Sequence, residues 1–192
     1  MTARPRVIIV SGPSGAGKGT LIEGVLSRVP RLRVAVSATT RRMRPGERDG
    51  EAYHFLTPEE FARRVEADEF LEHVVYAGNR YGTLRSEIGC ILRSGDSPIV
   101  EIELAGARAV RDSIPGAVSV FISPPSLEEL SERLSRRATD TEEEIAERLR
   151  TSRIELAARE EFDHLVVNAD IATAVDELAA ILAAALCAER DG

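Results

Sequence analysis

The chain has 192 residues, of which 43% are hydrophobic and 30% are charged. That length suits one domain with a buried core, with room for inserted segments. The net charge of −7 argues against nucleic acid and anionic membranes as main partners. Its two cysteines, Cys90 and Cys187, have no spacing typical of a metal site or a disulfide framework. Since no secretory signal or membrane-spanning run is found, we expect a soluble, cytoplasmic protein.

Short apolar runs alternate with helical patterns along most of the chain. Such alternation is typical of a parallel sheet covered by helices on both faces, with ligands bound beyond the carboxyl ends of the strands. We therefore predict an α/β fold with a parallel sheet of about five strands flanked by helices. The predicted strands are residues 7–10, 34–36, 99–104, 118–122 and 164–167. The predicted helices are residues 57–65, 84–92, 127–137 and 142–158.

The first predicted strand runs directly into a glycine-rich loop, "SGPSGAGKGT" at residues 11–20. Its glycines allow a tight turn with the N–H groups pointing inward, and a following helix adds its positive amino-terminal end. Lys18 can reach the β- and γ-phosphates of a nucleotide. This strand–loop–helix context favours a phosphate-binding P-loop over an ordinary glycine-rich turn. The predicted ATP-binding residues of the loop are Gly12, Pro13, Ser14, Gly15, Ala16, Gly17, Lys18, Gly19 and Thr20.

The residue after Lys18 departs from the strict P-loop pattern. That pattern has Ser or Thr there, whose hydroxyl binds Mg²⁺, whereas this chain has Gly19 followed by Thr20. The form resembles nucleoside monophosphate kinases more than GTPases or motors. The protein ligands of the metal therefore stay unassigned. The expected cofactor is Mg²⁺ as MgATP, held mainly by ATP oxygens and water.

Two regions contain too much sequence for a simple connection between a strand and a helix. Residues 37–90 begin with the polar stretch "SATTRRMRPGERDGEAYHF", and residues 133–150 contain "RLSRRATDTEEEIAERLR". We predict one domain with a core of residues 1–36 and 94–192, an insertion at about 37–90 and a lid at about 133–150. Both added segments are expected to lie over the ligand crevice.

Arginine is concentrated in one stretch of this acidic chain. Guanidinium groups hold phosphate oxygens in a planar fork, and Tyr53 could add a hydroxyl. A solvated basic loop is the alternative interpretation. A second phosphate site beside the P-loop would indicate transfer between two phosphates. The residues concerned are Arg28, Arg31, Arg33, Arg41, Arg42, Arg44 and Arg48.

Several blocks between residues 6 and 170 resemble guanylate kinases, in order and at consistent spacing. They are "VSATTRRMRPGERDGEAYHF", "EFLEHVVYAGNRYGT", "VEIELAGARAV", "VFISPPSLEELSERL" and "VVNAD". The resemblance implies transfer of the γ-phosphoryl group of MgATP to GMP, with dGMP as a further acceptor, to give ADP and GDP. It places the protein in purine nucleotide metabolism and GMP recycling. It also makes residues 37–90 the acceptor-binding insertion.

The same resemblance assigns the acceptor site. Ser37 and Glu72 would hold guanine, and Thr83 would lie alongside. A carboxylate at Glu72 can accept from both the N1–H and the 2-amino group of guanine, which adenine cannot supply, so it would discriminate strongly against AMP. A surface acid at a helix end is the alternative for Glu72. The residues expected to hold the acceptor phosphate are Arg41, Arg44, Tyr53 and Tyr81.

Two carboxylates, Glu101 and Glu103, are two residues apart in the strand predicted at 99–104, so both should project from one face. We predict that they contact GMP, either directly or by ordering metal-bound water. Guanylate kinases usually have Asp at the second position, so Glu103 is one methylene longer than the family pattern. A structural role for Glu103 remains open.

The predicted lid is rich in arginine. By resemblance, Arg133, Arg137 and Arg148 close on the ATP phosphates, and with Lys18 and Arg44 they are the predicted catalytic residues. An ordinary helical pair such as Glu129–Arg133 is the alternative. Asn168 follows the last predicted strand, where the family has a loop near adenine, so it is predicted to bind ATP.

Two other functions stay open at this point. One is a relative that phosphorylates a sugar phosphate, such as ribose 1,5-bisphosphate kinase, which needs no guanine-binding residues. The other is a non-catalytic scaffold of the guanylate-kinase-like type that binds phosphorylated peptides. Ser37 and Glu72 count against the first, and Lys18 with the lid arginines counts against the second.

Overall fold

The computed structural model describes residues 5–76, 78–135 and 142–187. The strands within these ranges are β1 Ile8–Ser11, β2 Leu32–Val34, β3 Ala38–Thr39, β4 His54–Phe55, β5 Phe70–Tyr76, β6 Asn79–Leu84, β7 Ser97–Glu101, β8 Val118–Ser123 and β9 His164–Val167. The helices are α1 Lys18–Leu26, α2 Pro58–Glu66, α3 Arg85–Arg93, α4 Leu104–Ser113, α5 Leu127–Ser135, α6 Glu142–Ala157 and α7 Ile171–Cys187.

The main sheet has five parallel strands in the order β2-β7-β1-β8-β9, which confirms the predicted fold class. β1 is central and alternates between two buried faces. Ile8 and Val10 pack with α1 and α7, whereas Val7 and Ile9 pack with α3 and α4. Because both faces are covered, the strands contain continuous apolar runs. No helix in the described ranges has the length and apolar character needed to cross a membrane.

A second, smaller sheet lies within the predicted insertion, in the order β4-β3-β6-β5. β3 runs parallel to β4, while β6 is antiparallel to both β3 and β5. α2 covers this sheet, and the rings of Phe61 and Phe70 stack with their centroids 4.3 Å apart. α3, at the end of residues 37–90, packs Ile88 and Ile91 into the cluster under the main sheet.

Two strand predictions have wrong boundaries. The strand expected at 34–36 lies at Leu32–Val34, and the strand expected at 99–104 ends at Glu101. Glu103 is therefore the residue that precedes the first turn of α4 and does not belong to β7. The N–H of Ile102 still donates to the carbonyl oxygen of Val10 at 3.2 Å, and the chain then turns into α4. The helix expected at 127–137 is described as far as Ser135.

Candidate active site

A cavity of about 540 Å³ opens where the P-loop meets the smaller sheet. Its wall brings together many of the predicted site residues: Ser14, Gly15, Gly17, Lys18, Gly19, Thr20, Ser37, Tyr53, Glu72, Tyr81, Glu101 and Glu103. The other predicted site residues in the described ranges lie outside this wall: Gly12, Pro13, Ala16, Arg41, Arg44, Thr83, Arg133, Arg148 and Asn168.

The P-loop is closed tightly around the side chain of its lysine. Lys18 Nζ donates to the carbonyl oxygens of Gly12, at 2.6 Å, and Pro13, at 3.3 Å. Gly12 has a φ of 143°, and a Cβ atom there would lie 2.1 Å from the carbonyl oxygen of Ile122. α1 begins at Lys18, so its positive amino-terminal end faces the cavity. This geometry suits an anionic ligand.

Asn168 supports the P-loop through a buried hydrogen bond. Its side-chain amide donates to the carbonyl oxygen of Ala16 at 2.8 Å, and only 2% of the residue is exposed. The main-chain carbonyl oxygen of Asn168 accepts a hydrogen bond from Arg133 Nη2 at 2.9 Å. Arg133 also forms the ordinary helical ion pair with Glu129. The two hydrogen bonds made by Asn168, to Ala16 and to Arg133, therefore connect α5 to the loop.

Glu72 is a buried carboxylate on β5, with 7% of the residue exposed, and is not a surface acid at a helix end. The Thr83 hydroxyl donates to Glu72 Oε1 at 2.8 Å. Burial raises the pKa of Glu72, while hydrogen bonds from the Thr83 hydroxyl and backbone N–H act in the opposite direction. The carboxyl group is thus fixed in orientation at the cavity wall.

Arg41 and Arg44 converge on a residue that the sequence analysis did not consider, Glu47. Both terminal nitrogens of Arg41 donate to the Glu47 carboxylate, at 2.7 and 3.0 Å. The backbone N–H of Arg44 donates to the same carboxylate at 2.7 Å. The Arg41 hydrogen bonds, followed by the Arg44 bond, hold the pKa of Glu47 below its ordinary value. The Arg41 guanidinium lies 5.3 Å from the ring centroid of Tyr53.

The expected single patch of arginines does not form. Residues 31–33 pair with the first residues of β7, at the amino ends of the strands. The ion pairs Arg28–Asp176, Arg33–Asp96 and Arg48–Glu51 use three of the arginines elsewhere on the surface.

Tyr53 and Tyr81 meet edge to face, with their ring centroids 5.9 Å apart. Burial is the main cause of the raised pKa of Tyr53, so its hydroxyl stays protonated and can donate. The cavity thus combines the P-loop with a buried carboxylate and three tyrosine side chains, those of Tyr53, Tyr76 and Tyr81. These groups suit a phosphate donor at one end and a phosphorylated acceptor at the other.

A family model described as guanylate kinase matches residues 4–185. The chain belongs to the guanylate kinase family. It is 51% identical over 179 residues to a guanylate kinase of Rubrobacter xylanophilus, covering 93% of this chain and 94% of that protein. It is 50% identical over 174 residues to a guanylate kinase of Frankia casuarinae, covering 91% and 95%. The crystal structure of guanylate kinase from Anaplasma phagocytophilum superposes with a TM-score of 0.77 at 31% identity, covering 97% of this chain and 89% of that one.

Membership of the guanylate kinase family confirms the predicted activity class. The chain is a nucleoside monophosphate kinase with guanylate kinase function. The scaffold alternative is accordingly set aside.

Two acidic residues of this guanylate kinase fold lie between the P-loop and α4. Glu101 lines the crevice, where desolvation raises its pKa and the charge of Lys18 opposes that rise. Glu103 hydrogen-bonds to Glu155 of α6, a residue that the sequence analysis missed. Burial and the neighbouring Glu103 carboxylate raise the pKa of Glu155 to about 8. Glu155 follows Arg148 by seven residues, which is two helical turns. This spacing is the only sequence signal that could have indicated Glu155 as a site residue.

Of the three arginines predicted for the lid, two lie within the described residues. Arg148 lies on α6; burial raises the pKa of Tyr76, and the charge of Arg148 opposes that rise. Arg133 lies on α5, as described above. Arg137 lies outside the described residues.

Proposed function

We propose that the cavity transfers the γ-phosphoryl group of MgATP to GMP, and also to dGMP, giving ADP and the nucleoside diphosphate. The observation that carries this proposal is that Lys18 and Glu72 line the same cavity. One is the cation of a phosphate-binding loop, and the other is a buried carboxylate suited to the guanine edge. Residues 37–90 would then be the acceptor-binding insertion, residues 133–150 the lid and the rest the core.

Glu72 and Ser37 hold the acceptor base in this proposal. The Glu72 carboxylate accepts from the N1–H and 2-amino groups of guanine, while Thr83 keeps one of its oxygens oriented. AMP would leave the buried carboxylate without donors, and such an unpaired polar group is costly. The same pairing would give a sugar phosphate no comparable contact.

The acceptor phosphate binds Arg41, Arg44, Tyr53 and Tyr81. Arg41 already holds a planar carboxylate, that of Glu47, in a two-pronged ion pair. A phosphate also offers two oxygens that can accept both hydrogen bonds of a guanidinium group, so it can take the place of the Glu47 carboxylate. The guanidinium beside Tyr53 is therefore prepared for an anion before GMP binds.

The donor end suits a metal-bound triphosphate. Thr20 and Glu101 provide hard oxygen donors beside the loop, and Glu101 Oε2 lies 3.9 Å from where a Cβ of Gly19 would stand. These residues fit Mg²⁺ that is held mainly by ATP oxygens and water. The ion would supply charge neutralisation between the β- and γ-phosphates.

The chain's own groups then position the reactants and spread charge. The acceptor phosphate has a second pKa of about 6, so it is ionised enough to attack without a general base. Lys18 exchanges its loop carbonyls for the β- and γ-phosphate oxygens. Arg133, Arg137 and Arg148 approach the transferred group on lid closure, which also excludes water. Asn168 contributes to ATP binding by holding the loop at Ala16.

The test is ADP formation from MgATP with a panel of acceptors: GMP, dGMP, AMP, CMP, UMP and ribose 1,5-bisphosphate. Turnover with GMP and dGMP and little with AMP is expected. Turnover with the sugar phosphate instead would overturn the acceptor assignment while leaving the donor site intact.

A further inference from the structure

The third residue of α4, Gly106, faces the Glu72 carboxyl group directly. A Cβ atom at position 106 would lie 2.9 Å from Glu72 Oε2 and 3.3 Å from its Cδ. Real Cβ atoms essentially never lie as close as 2.9 Å to another heavy atom. Gly106 is itself buried and lines the cavity. The missing side chain therefore creates the space that Glu72 occupies.

The opposite side of the carboxyl group is also fixed. Thr83, which is fully buried, donates its hydroxyl to Oε1, so the carboxyl group cannot move away without losing that bond. Glu72 is thus held between a hydroxyl on β6 and the first turn of α4. That turn also carries the positive end of the helix, which favours an ionised carboxyl group over a neutral one.

We propose that Gly106 is a positioning residue for base recognition, because it admits Glu72 Oε2 against α4 and so aims the carboxylate at the acceptor base. This inference rests on the proposed role of Glu72. An alanine methyl would displace Glu72 toward the cavity and away from Thr83. A shift of about 1 Å at a positioned group is enough to cost on the order of 10²-fold in rate.

Gly106→Ala tests this position with little danger to the fold. The atoms that must move belong to one side chain, and alanine favours a helix interior over glycine. Gly89→Ala is the matched control, because it makes the same change in α3, where the new Cβ would meet only the flexible end of Arg93. We expect Gly106→Ala to lower kcat/KM for GMP by about 10- to 100-fold and to narrow the GMP-to-AMP preference. The KM for ATP should stay unchanged, and Gly89→Ala should match the wild type throughout.

A double-mutant cycle with Glu72→Ala shows whether the effect acts through Glu72. In that background, Gly106→Ala should cost nothing further for GMP. If the two losses simply multiply, the methyl obstructs the ligand itself and the inference is overturned. Wild-type behaviour of Gly106→Ala beside an impaired Glu72→Ala would also overturn it while keeping the proposed function. An unchanged GMP-to-AMP preference in Glu72→Ala would overturn both.

Discussion

The Arg133 guanidinium donates a hydrogen bond of 2.9 Å to the main-chain oxygen of Asn168, whose side chain in turn holds the carbonyl of Ala16. One buried residue therefore links α5 to the phosphate loop. The Cβ of any residue other than glycine at position 17 would lie 2.4 Å from the Asn168 amide nitrogen. The contact between the loop and Asn168 therefore requires glycine at this position.

Replacing Asn168 by alanine should therefore loosen the loop. The Ala16 carbonyl would lose its buried partner, at a cost of about 1–3 kcal/mol in the free energy of unfolding. We expect the KM for ATP to rise several-fold while the KM for GMP stays constant. Initial rates with varied ATP and varied GMP, together with urea unfolding, would measure both effects. A changed preference between ATP and GTP as donor would instead indicate direct contact with adenine.

Replacing Lys18 by alanine should remove most turnover. The ammonium group is the charge nearest the loop carbonyls, and loss of one positioned electrostatic contact to the transition state typically costs about 10²- to 10³-fold in kcat. Single-turnover rates with saturating MgATP and GMP would measure this loss. GMP affinity by calorimetry serves as the control, because the acceptor side should be unaffected. A variant with wild-type turnover would exclude Lys18 from the transfer step.

Glu72→Gln should mainly weaken base discrimination. The amide offers one acceptor oxygen where the carboxylate offers two, so the advantage of GMP over AMP should shrink. Because burial raises the pKa of Glu72, acidification should raise the KM for GMP in the wild type at a higher pH than an exposed glutamate would give. The glutamine variant should lack that part of the pH profile. Identical profiles for the two proteins would remove Glu72 from base recognition.

Glu155 should make the stability of the protein depend on pH. Its pKa is raised from an ordinary value of 4.5 to about 8, so the folded state holds a proton that the unfolded state releases. Stability should therefore fall as pH rises through this window, and Glu155→Gln should reduce the fall. Urea unfolding at pH 5 and pH 8 would measure the difference.

The control for Glu155 is Glu147→Gln, an exposed change on the same helix that should leave the pH dependence as in the wild type. Parallel stability changes in the wild type and Glu155→Gln would show that Glu155 carries no bound proton at neutral pH.

The phosphate loop could be predicted from sequence because its cause is local. A buried apolar strand, four glycines and a lysine within residues 7–20 form a pattern that indicates the loop from neighbouring residues alone. The five-strand sheet followed from the same kind of short-range pattern. The burial of Glu72 is different, since it depends on pairing between β5 and β6 and on the approach of α4.

Residues that are close in sequence lie in different parts of the fold on either side of β2. Arg33 and Arg41 are eight residues apart, but β2 places Arg33 at the amino ends of the strands while Arg41 lies by the smaller sheet. Conversely, Glu103 and Glu155 are far apart in sequence and share a hydrogen bond. The periodicity of a single sequence does not predict a contact between two residues so far apart in the chain.

Lys18, which is hydrogen-bonded to the phosphate loop, is the only lysine in the sequence, and this has a practical consequence. An amine-acylating reagent can therefore modify one side chain only. Lys18 Nζ donates to two carbonyl oxygens, and only 8% of the residue is exposed. The rate at which mass is added at position 18, with and without nucleotide, would therefore compare the protection of Lys18 by the loop carbonyls with its protection by bound phosphate, free of background from other side-chain amines.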